Sequence, residues 1–301
     1  MTMLIVGASG FLGRELARQA LAAGHTVTGT FTTNLGTAEI QWLPLDLRNH
    51  DEIDVVLDKV QPRLVINAAA RKADWVTTAE GAGRLAMAAA RREARLVHVS
   101  SDAVFSGTQV TYDECATPDP ITAYGAAKAA AETAIRLVNP AALVIRTSLI
   151  VGYGYSRHEK FVHDVAAGRA AGPLFTDDIR CPVHVSDLAA AILELAPSEQ
   201  SGIRHVAGQD AVSRHELGLL IARRDGLNAT AIPAGRRAGT GVPGALDVRL
   251  DSGTALRTLR IRVRGAREFL STAAAAGASA TWRPSGTGGG PGLWTPPPSA
   301  A

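Results

Sequence analysis

The fold is decided by residues 3–13, Met3-Leu4-Ile5-Val6-Gly7-Ala8-Ser9-Gly10-Phe11-Leu12-Gly13. Residues 3–6 are an apolar run that predicts a buried strand, and the sequence after Gly13 predicts a helix up to Ala23. Glycines between a strand and a helix let backbone N–H groups approach a pyrophosphate at the helix amino terminus, and a small residue at Gly13 lets the two elements pack closely. The stretch therefore predicts a dinucleotide-binding turn with cofactor contacts from Gly7, Ser9, Gly10, Phe11, Leu12 and Gly13.

Five further apolar runs follow, separated by helical segments, at residues 25–30, 40–45, 64–66, 96–99 and 143–145. Short β-branched runs that alternate with helices are typical of a parallel sheet covered on both faces, in which ligands bind at the carboxyl ends of the strands. A helix cap would explain any one polar strand end equally well. Because several occur together, we predict an α/β fold, a Rossmann-type doubly wound parallel sheet, with a cofactor crevice at Gly7, Asp46, Asn67, Ser100 and Ser101.

Tyr124 and Lys128 form a candidate acid/base pair. The stretch 123–132 reads AYGAAKAAAE, whose alanines favour a helix, so that Lys128 lies one turn beyond Tyr124 on the same face. A cation next to a phenolate lowers the pKa of the phenol, which would make Tyr124 a better proton donor or acceptor at neutral pH. A surface helix with an exposed lysine and a half-buried tyrosine has the same spacing, and the surrounding motifs favour the catalytic interpretation.

These motifs together resemble the extended short-chain dehydrogenase/reductases, and within them the group of dTDP-4-dehydrorhamnose reductases and related sugar-nucleotide-binding proteins. The likeness covers residues 1–270 and rests on the glycine turn, residues 67–70 (NAAA), residues 99–107 (VSSDAVFSG), the Tyr124/Lys128 pair and residues 146–148 (RTS). The resemblance implies that Tyr124 is the general acid, that Lys128 holds the nicotinamide ribose, and that Ser101 hydrogen-bonds the substrate carbonyl. Hydride addition to a carbonyl independently requires a hydroxyl donor, a proton source and a cation around the oxygen.

The same resemblance implies the remaining site residues. Cofactor contacts are expected from Asp46, Leu47, Asn67, Ala68, Ala69, Ser100, Tyr124 and Lys128. Substrate contacts are expected from Ser101, Asp102, Val104, Phe105 and Arg180, and Arg180 could pair with a diphosphate. The substrate implied is a nucleoside-diphosphate 4-keto-6-deoxy sugar.

Two positions of the sequence bear on which reaction is catalysed. The reductases usually carry a tryptophan after the Arg-Thr-Ser run, where this chain has Leu149, so the identity of the sugar stays open. Asp102 is followed by Ala103 rather than by the glutamate of sugar-nucleotide dehydratases, which argues against dehydration. Epimerisation ranks below reduction and stays open, as does a non-catalytic role like that of the methionine adenosyltransferase regulatory subunit.

Cofactor choice depends on the tip of the second strand, residues 28–34, which read TGTFTTN. An acidic residue here would bind the ribose hydroxyls of NAD and repel the extra phosphate of NADP. The segment has neither an acid nor an arginine. The sequence therefore favours NADP(H), permits NAD(H), and adds Thr30 to the expected cofactor contacts.

The domain organisation predicted from the chain has three parts. Residues 1–150 form the dinucleotide-binding domain, which also receives parts of 151–190, and residues 151–270 form mainly a smaller substrate-binding lobe with strand-like segments at 182–185 and 202–206. Residues 271–301, rich in Ala, Gly and Pro, are predicted to be a disordered tail.

Composition excludes several classes of partner. The net charge is +3, and the 31 Lys and Arg residues are scattered without runs, so we expect no nucleic-acid binding. Cys115 and Cys181 form no ligand cluster, which predicts no metal site and a reducing cytoplasm. The apolar run at the start is too short to span a bilayer, so no membrane association is expected. Analogy with dimeric relatives suggests a homodimer.

Overall fold

Seven parallel strands form the central sheet of the protein, whose computed structural model describes residues 1–271. In chain order the strands are β1 (Thr2–Val6), β2 (Thr26–Phe31), β3 (Gln41–Pro44), β4 (Leu64–Asn67), β5 (Arg95–Val99), β6 (Thr111–Tyr112), β7 (Leu143–Arg146), β8 (Ile150–Val151), β9 (Leu174–Phe175), β10 (Ile179–Arg180), β11 (Val183–His184), β12 (Gly202–His205), β13 (Val212–Ser213), β14 (Ala234–Gly235) and β15 (Arg249–Leu250). The helices are α1 (Phe11–Ala22), α2 (His50–Val60), α3 (Gly81–Arg91), α4 (Ala123–Val138), α5 (Arg157–Ala166), α6 (Val185–Leu195), α7 (Arg214–Arg224), α8 (Gly253–Thr258) and α9 (Ala266–Phe269).

The strand order of the central sheet is β12-β7-β5-β4-β1-β2-β3. The chain moves outward from β1 to β3 on one side and then from β4 to β12 on the other, so the direction of winding reverses between β1 and β4. Such a reversal leaves a crevice outside the carboxyl ends of the strands, which is where ligands bind in doubly wound sheets. The predicted Rossmann-type fold is confirmed, and the six apolar runs predicted as strands of its sheet, at residues 3–6, 25–30, 40–45, 64–66, 96–99 and 143–145, each overlap a strand of this sheet.

Helices cover both faces of the sheet, as the alternating pattern requires. On one face Leu16 of α1 and Leu188 of α6 are fully buried against strand residues such as Ile5. On the other face α2, α3 and α4 contribute Leu57, Leu85 and Ile135 to a second buried cluster. Two packed faces explain why the strands read as continuous apolar runs rather than as alternating ones.

One strand predicted from the sequence lies in a different part of the fold from the one expected. Residues 202–206 were expected in the substrate lobe, but β12 pairs in parallel with β7 and forms the edge of the central sheet, with Ile203 packed into the second cluster. The strand was misplaced because a single short apolar run does not reveal its partner. The segment 182–185 contains β11, which pairs with β8 outside the central sheet.

A separate buried cluster lies in the carboxyl-terminal part and joins α5 and α7. Val162, Leu217 and Ile221 pack there with Leu174 and Phe269. The division of the chain near residue 150 stays a prediction, and the predicted disordered tail, beyond Ser271, lies outside the described residues. Within residues 1–271 no helix combines the length and the apolarity needed to cross a membrane.

Candidate active site

The glycine turn after β1 packs so closely against neighbouring backbone that two of its positions have no room for a side chain. Gly7 has φ of +81° and donates its N–H to Thr30 Oγ1 at 3.1 Å, and a Cβ at Gly7 would lie 2.9 Å from the backbone of Ala69. A side chain at Gly13 would clash with the Gly7 carbonyl oxygen. Both positions therefore exclude larger residues.

The start of α1 has no side-chain cap, because its N-cap is Gly10. By contrast, Thr122, Ser156 and Ser213 each accept a backbone N–H at the start of α4, α5 and α7. The orphan N–H groups of α1 are left to another acceptor, and the helix dipole there favours an anion. The turn thus fits the pyrophosphate of a dinucleotide cofactor.

A cleft of about 560 Å³ adjoins this turn and brings the predicted catalytic residues together. Ser101, which follows β5, lines it with Tyr124 and Lys128 of α4. Thr122 caps α4 by accepting the N–H of Gly125 at 3.1 Å. A side chain at Gly125 would clash with the Ala103 carbonyl oxygen, so this glycine lets α4 approach the loop that carries Ser101.

Lys128 is buried, with only 2% of its surface exposed. Its Nζ donates to the carbonyl oxygen of Val99 at 2.8 Å. Burial lowers the pKa of the Lys128 ammonium to about 8, and the nearby Glu132 carboxylate opposes that shift. Lys128 is thus held at the carboxyl end of β5, where it lines the cleft beside Tyr124.

The phenol of Tyr124 differs from the expectation. Burial, followed by the Asp102 carboxylate, raises the pKa of Tyr124 to about 12, while Arg157 and a hydrogen bond from Ser101 lower it by less. The predicted lowering by Lys128 is wrong for this arrangement, because Lys128 donates to a backbone carbonyl and burial outweighs the cations. Tyr124 therefore stays protonated throughout the neutral range, as a proton donor must.

A buried ion pair lies beneath these groups. Arg146 Nη2 and Glu132 Oε2 are 2.7 Å apart, and each side chain is 2% exposed. Ser100 Oγ donates to Glu132 Oε1 at 2.5 Å, and the Arg146 guanidinium lies 4.9 Å from the ring centroid of Phe105. The pair ties the ends of β5 and β7 to α4, and so fixes the floor of the cleft.

Asp102 is oriented by a second set of hydrogen bonds. It accepts from Ser148 Oγ at 2.6 Å and from Ser101 Oγ at 3.2 Å. The Arg180 Nε lies 3.7 Å from the same carboxylate. The hydroxyl of Ser101, which is predicted to contact the substrate carbonyl, is therefore oriented by its hydrogen bond to Asp102.

The other predicted cofactor residues surround the turn at varying depth. Phe11, Leu12, Ala68 and Ser100 line the cleft. Asn67 is buried and accepts the N–H of Ala69 at 3.1 Å, so it shapes the loop after β4. At the end of β3, Asp46 pairs with Arg48 at 2.5 Å and Leu47 is buried in the core.

One predicted substrate contact needs correction, and a second has few free donors. Val104 is fully buried in a cluster with Tyr112 and does not line the cleft, so its side chain cannot contact a ligand there. Arg180 lines the cleft, but its terminal nitrogens donate to the carbonyl oxygens of Ile179, Ala245 and Leu246. Most of its donors are therefore used within the fold. Asp102 and Phe105 line the cleft, and their contact with the substrate stays a prediction.

The structure adds cations that the sequence analysis missed. Lys72 Nζ lies 5.6 Å from the ring centroid of Tyr124. Arg157 and Arg214, the first residues of α5 and α7, also line the cleft and flank His158, whose ring nitrogens lie 3.4 and 3.2 Å from them. Burial and the two arginines lower the pKa of His158 to about 2, so it is neutral between two cations.

A sequence signal for two of these cations does exist. The tetrapeptide Ser-Arg-His-Glu occurs twice, at residues 156–159 and 213–216, and each copy begins a helix. In both, the serine accepts the backbone N–H of the glutamate, as in a capping box. The repeat predicts two helix starts that each carry an arginine at the first position, but not that they meet.

Comparison with known proteins gives the family. Residues 1–243 match the family described as RmlD substrate binding domain. The probable low-salt glycan biosynthesis reductase Agl14 of Haloferax volcanii is 34% identical over 248 residues, which are 77% of this chain and 83% of that protein. The dTDP-4-dehydrorhamnose reductase of Mycobacterium tuberculosis (strain ATCC 25618 / H37Rv) is 32% identical over 224 residues, 70% of this chain and 71% of that protein.

A solved structure agrees with these relatives. The crystal structure of a hypothetical dTDP-4-dehydrorhamnose reductase from Sulfolobus tokodaii has a TM-score of 0.76 at 30% identity, covering 88% of this chain and 97% of that one. The overall fold is thus shared with a solved structure of a related protein. The chain belongs to the RmlD substrate-binding domain family.

Proposed function

We propose that the protein is an NAD(P)H-dependent oxidoreductase of the short-chain dehydrogenase/reductase superfamily that reduces a nucleoside-diphosphate 4-keto-6-deoxy sugar. The observation that carries the proposal is the meeting of Ser101, Tyr124 and Lys128 in one cleft beside the uncapped glycine turn. The reductase names of the relatives support the same reaction.

The proposed mechanism assigns one task to each group. The glycine turn would hold the pyrophosphate of a nicotinamide cofactor and Lys128 would hold its ribose, and the cofactor would supply the hydride. Ser101, whose single hydroxyl hydrogen is directed at Asp102 in the free protein, would turn that hydrogen to the substrate carbonyl oxygen. As negative charge develops on that oxygen, Tyr124 gives it a proton; an alkoxide is a stronger base than a phenolate, so a donor with a pKa of about 12 still transfers its proton downhill.

Charge along the cleft supports a substrate that carries a diphosphate. Among the described residues, Asp102 is the one carboxylate that lines the cleft, where six cationic side chains do so: Lys72, Lys128, Arg157, Arg180, Arg214 and Arg237. An excess of cations in a concave site attracts and holds an anion. We assign the diphosphate to Arg157 and Arg214, because Arg180 is largely occupied by backbone carbonyls.

Arg157 and Arg214 have donors to spare for this task. No carboxylate of residues 1–271 lies within ion-pair distance of Arg157, because Glu159 in the same turn pairs with Arg224. A cation in the first turn of a helix is also disfavoured by the helix dipole, so the charge of Arg157 is not balanced there. Arg214 shares the buried Asp178 with Arg180 and Arg237. A diphosphate between the two guanidiniums would neutralise charges that the fold leaves unmatched.

The test is loss of reduced-cofactor absorbance with NADPH and NADH run separately against dTDP- and UDP-linked 4-keto-6-deoxy sugars. We expect consumption with at least one sugar and a product two hydrogen atoms heavier by mass spectrometry. If the protein binds the reduced cofactor but oxidises it with none of the sugars, epimerisation or a regulatory role would be favoured instead.

Two finer expectations accompany the proposal. A reducing cytoplasm is supported by the two thiols, of which Cys115 is exposed and Cys181 buried, both unpaired. A homodimer is expected by analogy alone, and sedimentation of the purified chain would test it.

A further inference from the structure

Arg71 links the ends of two strands across the cofactor crevice. It lies in the loop after β4, and its Nη2 donates to Thr32 Oγ1 at 2.9 Å, although the two residues are 39 positions apart in the chain. Thr32 follows β2 directly. Because β1 lies between β4 and β2 in the sheet, this link passes over the carboxyl end of β1, where the glycine turn begins.

Among the described residues no acid forms an ion pair with Arg71, although its charge adds to the hydrogen bonds from Arg48 and Thr77 that lower the pKa of Asp46 and of Asp74, respectively. The nearest acids have other partners: Asp46 pairs with Arg48 at 2.5 Å, and Asp74 accepts the N–H and the hydroxyl of Thr77 at 2.9 and 2.8 Å. The exposed guanidinium is therefore free to meet an anion.

Thr32 is oriented for the same anion. Its hydroxyl oxygen accepts from Arg71, which leaves the hydroxyl hydrogen to donate. The strand tip, residues 28–34, contains hydroxyls and an amide but no acid that would repel a phosphate. An exposed cation and a hydroxyl donor thus coincide at the end of β2, whose tip, residues 28–34, carries no acid of its own.

The end of the second strand is where a dinucleotide-binding sheet recognises the adenosine ribose, and an arginine there accommodates a 2′-phosphate. We propose that Arg71, with Thr32, binds the 2′-phosphate of NADP(H) and makes this chain prefer NADPH to NADH. The inference rests on the proposed cofactor site. Sequence analysis found no arginine at this strand tip because the residue comes from the loop after another strand.

The direct test is calorimetric binding of 2′,5′-ADP and of 5′-ADP to the full chain, with no turnover required. We compare wild type with Arg71→Gln and Arg71→Lys. The matched control is Arg63→Gln, which removes an exposed cation from the opposite end of β4 and changes the net charge equally. Kd values for NADP⁺ and NAD⁺ are measured on the same four proteins.

We expect wild type to bind 2′,5′-ADP more tightly than 5′-ADP. Arg71→Gln should weaken 2′,5′-ADP by roughly 10- to 100-fold, the effect of a charge-assisted phosphate contact, while 5′-ADP changes less than about twofold. Arg71→Lys should recover part of the loss, because it keeps the charge but not the planar fork. Arg63→Gln should match wild type.

Provided that wild type binds 5′-ADP, either of two results would overturn the inference. One is that wild type binds 2′,5′-ADP and 5′-ADP with equal affinity. The other is that Arg71→Gln leaves the affinity for 2′,5′-ADP unchanged. Loss of affinity for both ligands in Arg71→Gln would also count against it, since it would assign Arg71 to the adenosine or the pyrophosphate. If wild type binds neither ligand, the proposed function itself fails, which is a distinguishable outcome.

Discussion

On the floor of the cleft Glu132 and Arg146 satisfy each other at 2.7 Å with Ser100 as a further donor, whereas at its mouth Arg157 and Arg214 face each other across a neutral histidine. The first group is buried and closed; the second is reachable and has charge to spare. A fold keeps buried charges paired because burying a lone charge is costly. Unmatched charge in a reachable place therefore marks where a ligand is expected, and matched charge marks what holds the site in shape.

We expect the largest loss of stability from breaking the buried ion pair between Glu132 and Arg146. Glu132→Gln leaves Arg146 buried without its partner, so the free energy of unfolding should fall by about 3–5 kcal/mol in urea titrations. Adding Arg146→Met should restore part of that loss. The control is Asp54→Asn in the exposed pair with Arg91, which should cost less than about 1 kcal/mol. Equal losses of unfolding free energy in Glu132→Gln and Asp54→Asn would show that the buried pair contributes no more to stability than the exposed one.

Among residues 1–271 the buried Lys128 ammonium has no ion-pair partner, which destabilises the folded protein, so Lys128→Met should stabilise the fold. Its pKa is about 8 when folded against about 10.4 unfolded, so at pH 7 the ammonium is charged in both states and the folded protein bears the full cost of burying it. Above pH 8 the folded protein loses this proton first, and the cost fades toward pH 10.5. Loss of the bond to Val99 offsets part of the gain.

We expect Lys128→Met to be about 1–3 kcal/mol more stable than wild type at pH 7, with a smaller difference at pH 10, in urea titrations at the two pH values. The variant should still lose activity, because the cofactor ribose loses its cation. A destabilisation of the same size at both pH values would show that the ammonium is not strained by burial.

We expect substitutions of Arg157 and Arg214 at the mouth of the cleft to change stability least but to weaken ligand binding clearly. Arg157→Gln and Arg214→Gln should each weaken dTDP by about tenfold and reduce the preference for dTDP over dTMP, with a salt dependence lower than that of wild type. Lys160→Gln and Arg223→Gln, exposed on the same two helices, are the controls. Equal effects of controls and variants would assign the change to net charge alone.

The sequence predicted the parts of the site that local chemistry determines. The strand, turn and helix of residues 3–22 and the helix that carries Tyr124 and Lys128 follow from glycine placement, apolar runs and helix propensity. The small size of Gly13 and Gly125, which lets helices approach neighbouring backbone, is visible in the sequence as well, though the partner of Gly125 is not.

The sequence could not predict contacts made between distant segments. Arg71 reaches Thr32 from another strand, and Arg157 and Arg214 meet only because α5 and α7 pack together. The edge position of β12 and the burial that raises the pKa of Tyr124 likewise depend on tertiary packing. The repeated Ser-Arg-His-Glu tetrapeptide shows that even a visible pattern gives no distance between its copies.

The central claim is that Tyr124 supplies the proton for carbonyl reduction, and steady-state NADPH oxidation by wild type and Tyr124→Phe tests it most directly. The substrate is the 4-keto-6-deoxy sugar nucleotide that wild type consumes. We expect kcat to fall by about 10³-fold in the variant, within the range that general acid catalysis contributes, while Kd for NADP⁺ and for dTDP stays within about twofold. Turnover by Tyr124→Phe at the wild-type rate would contradict the account.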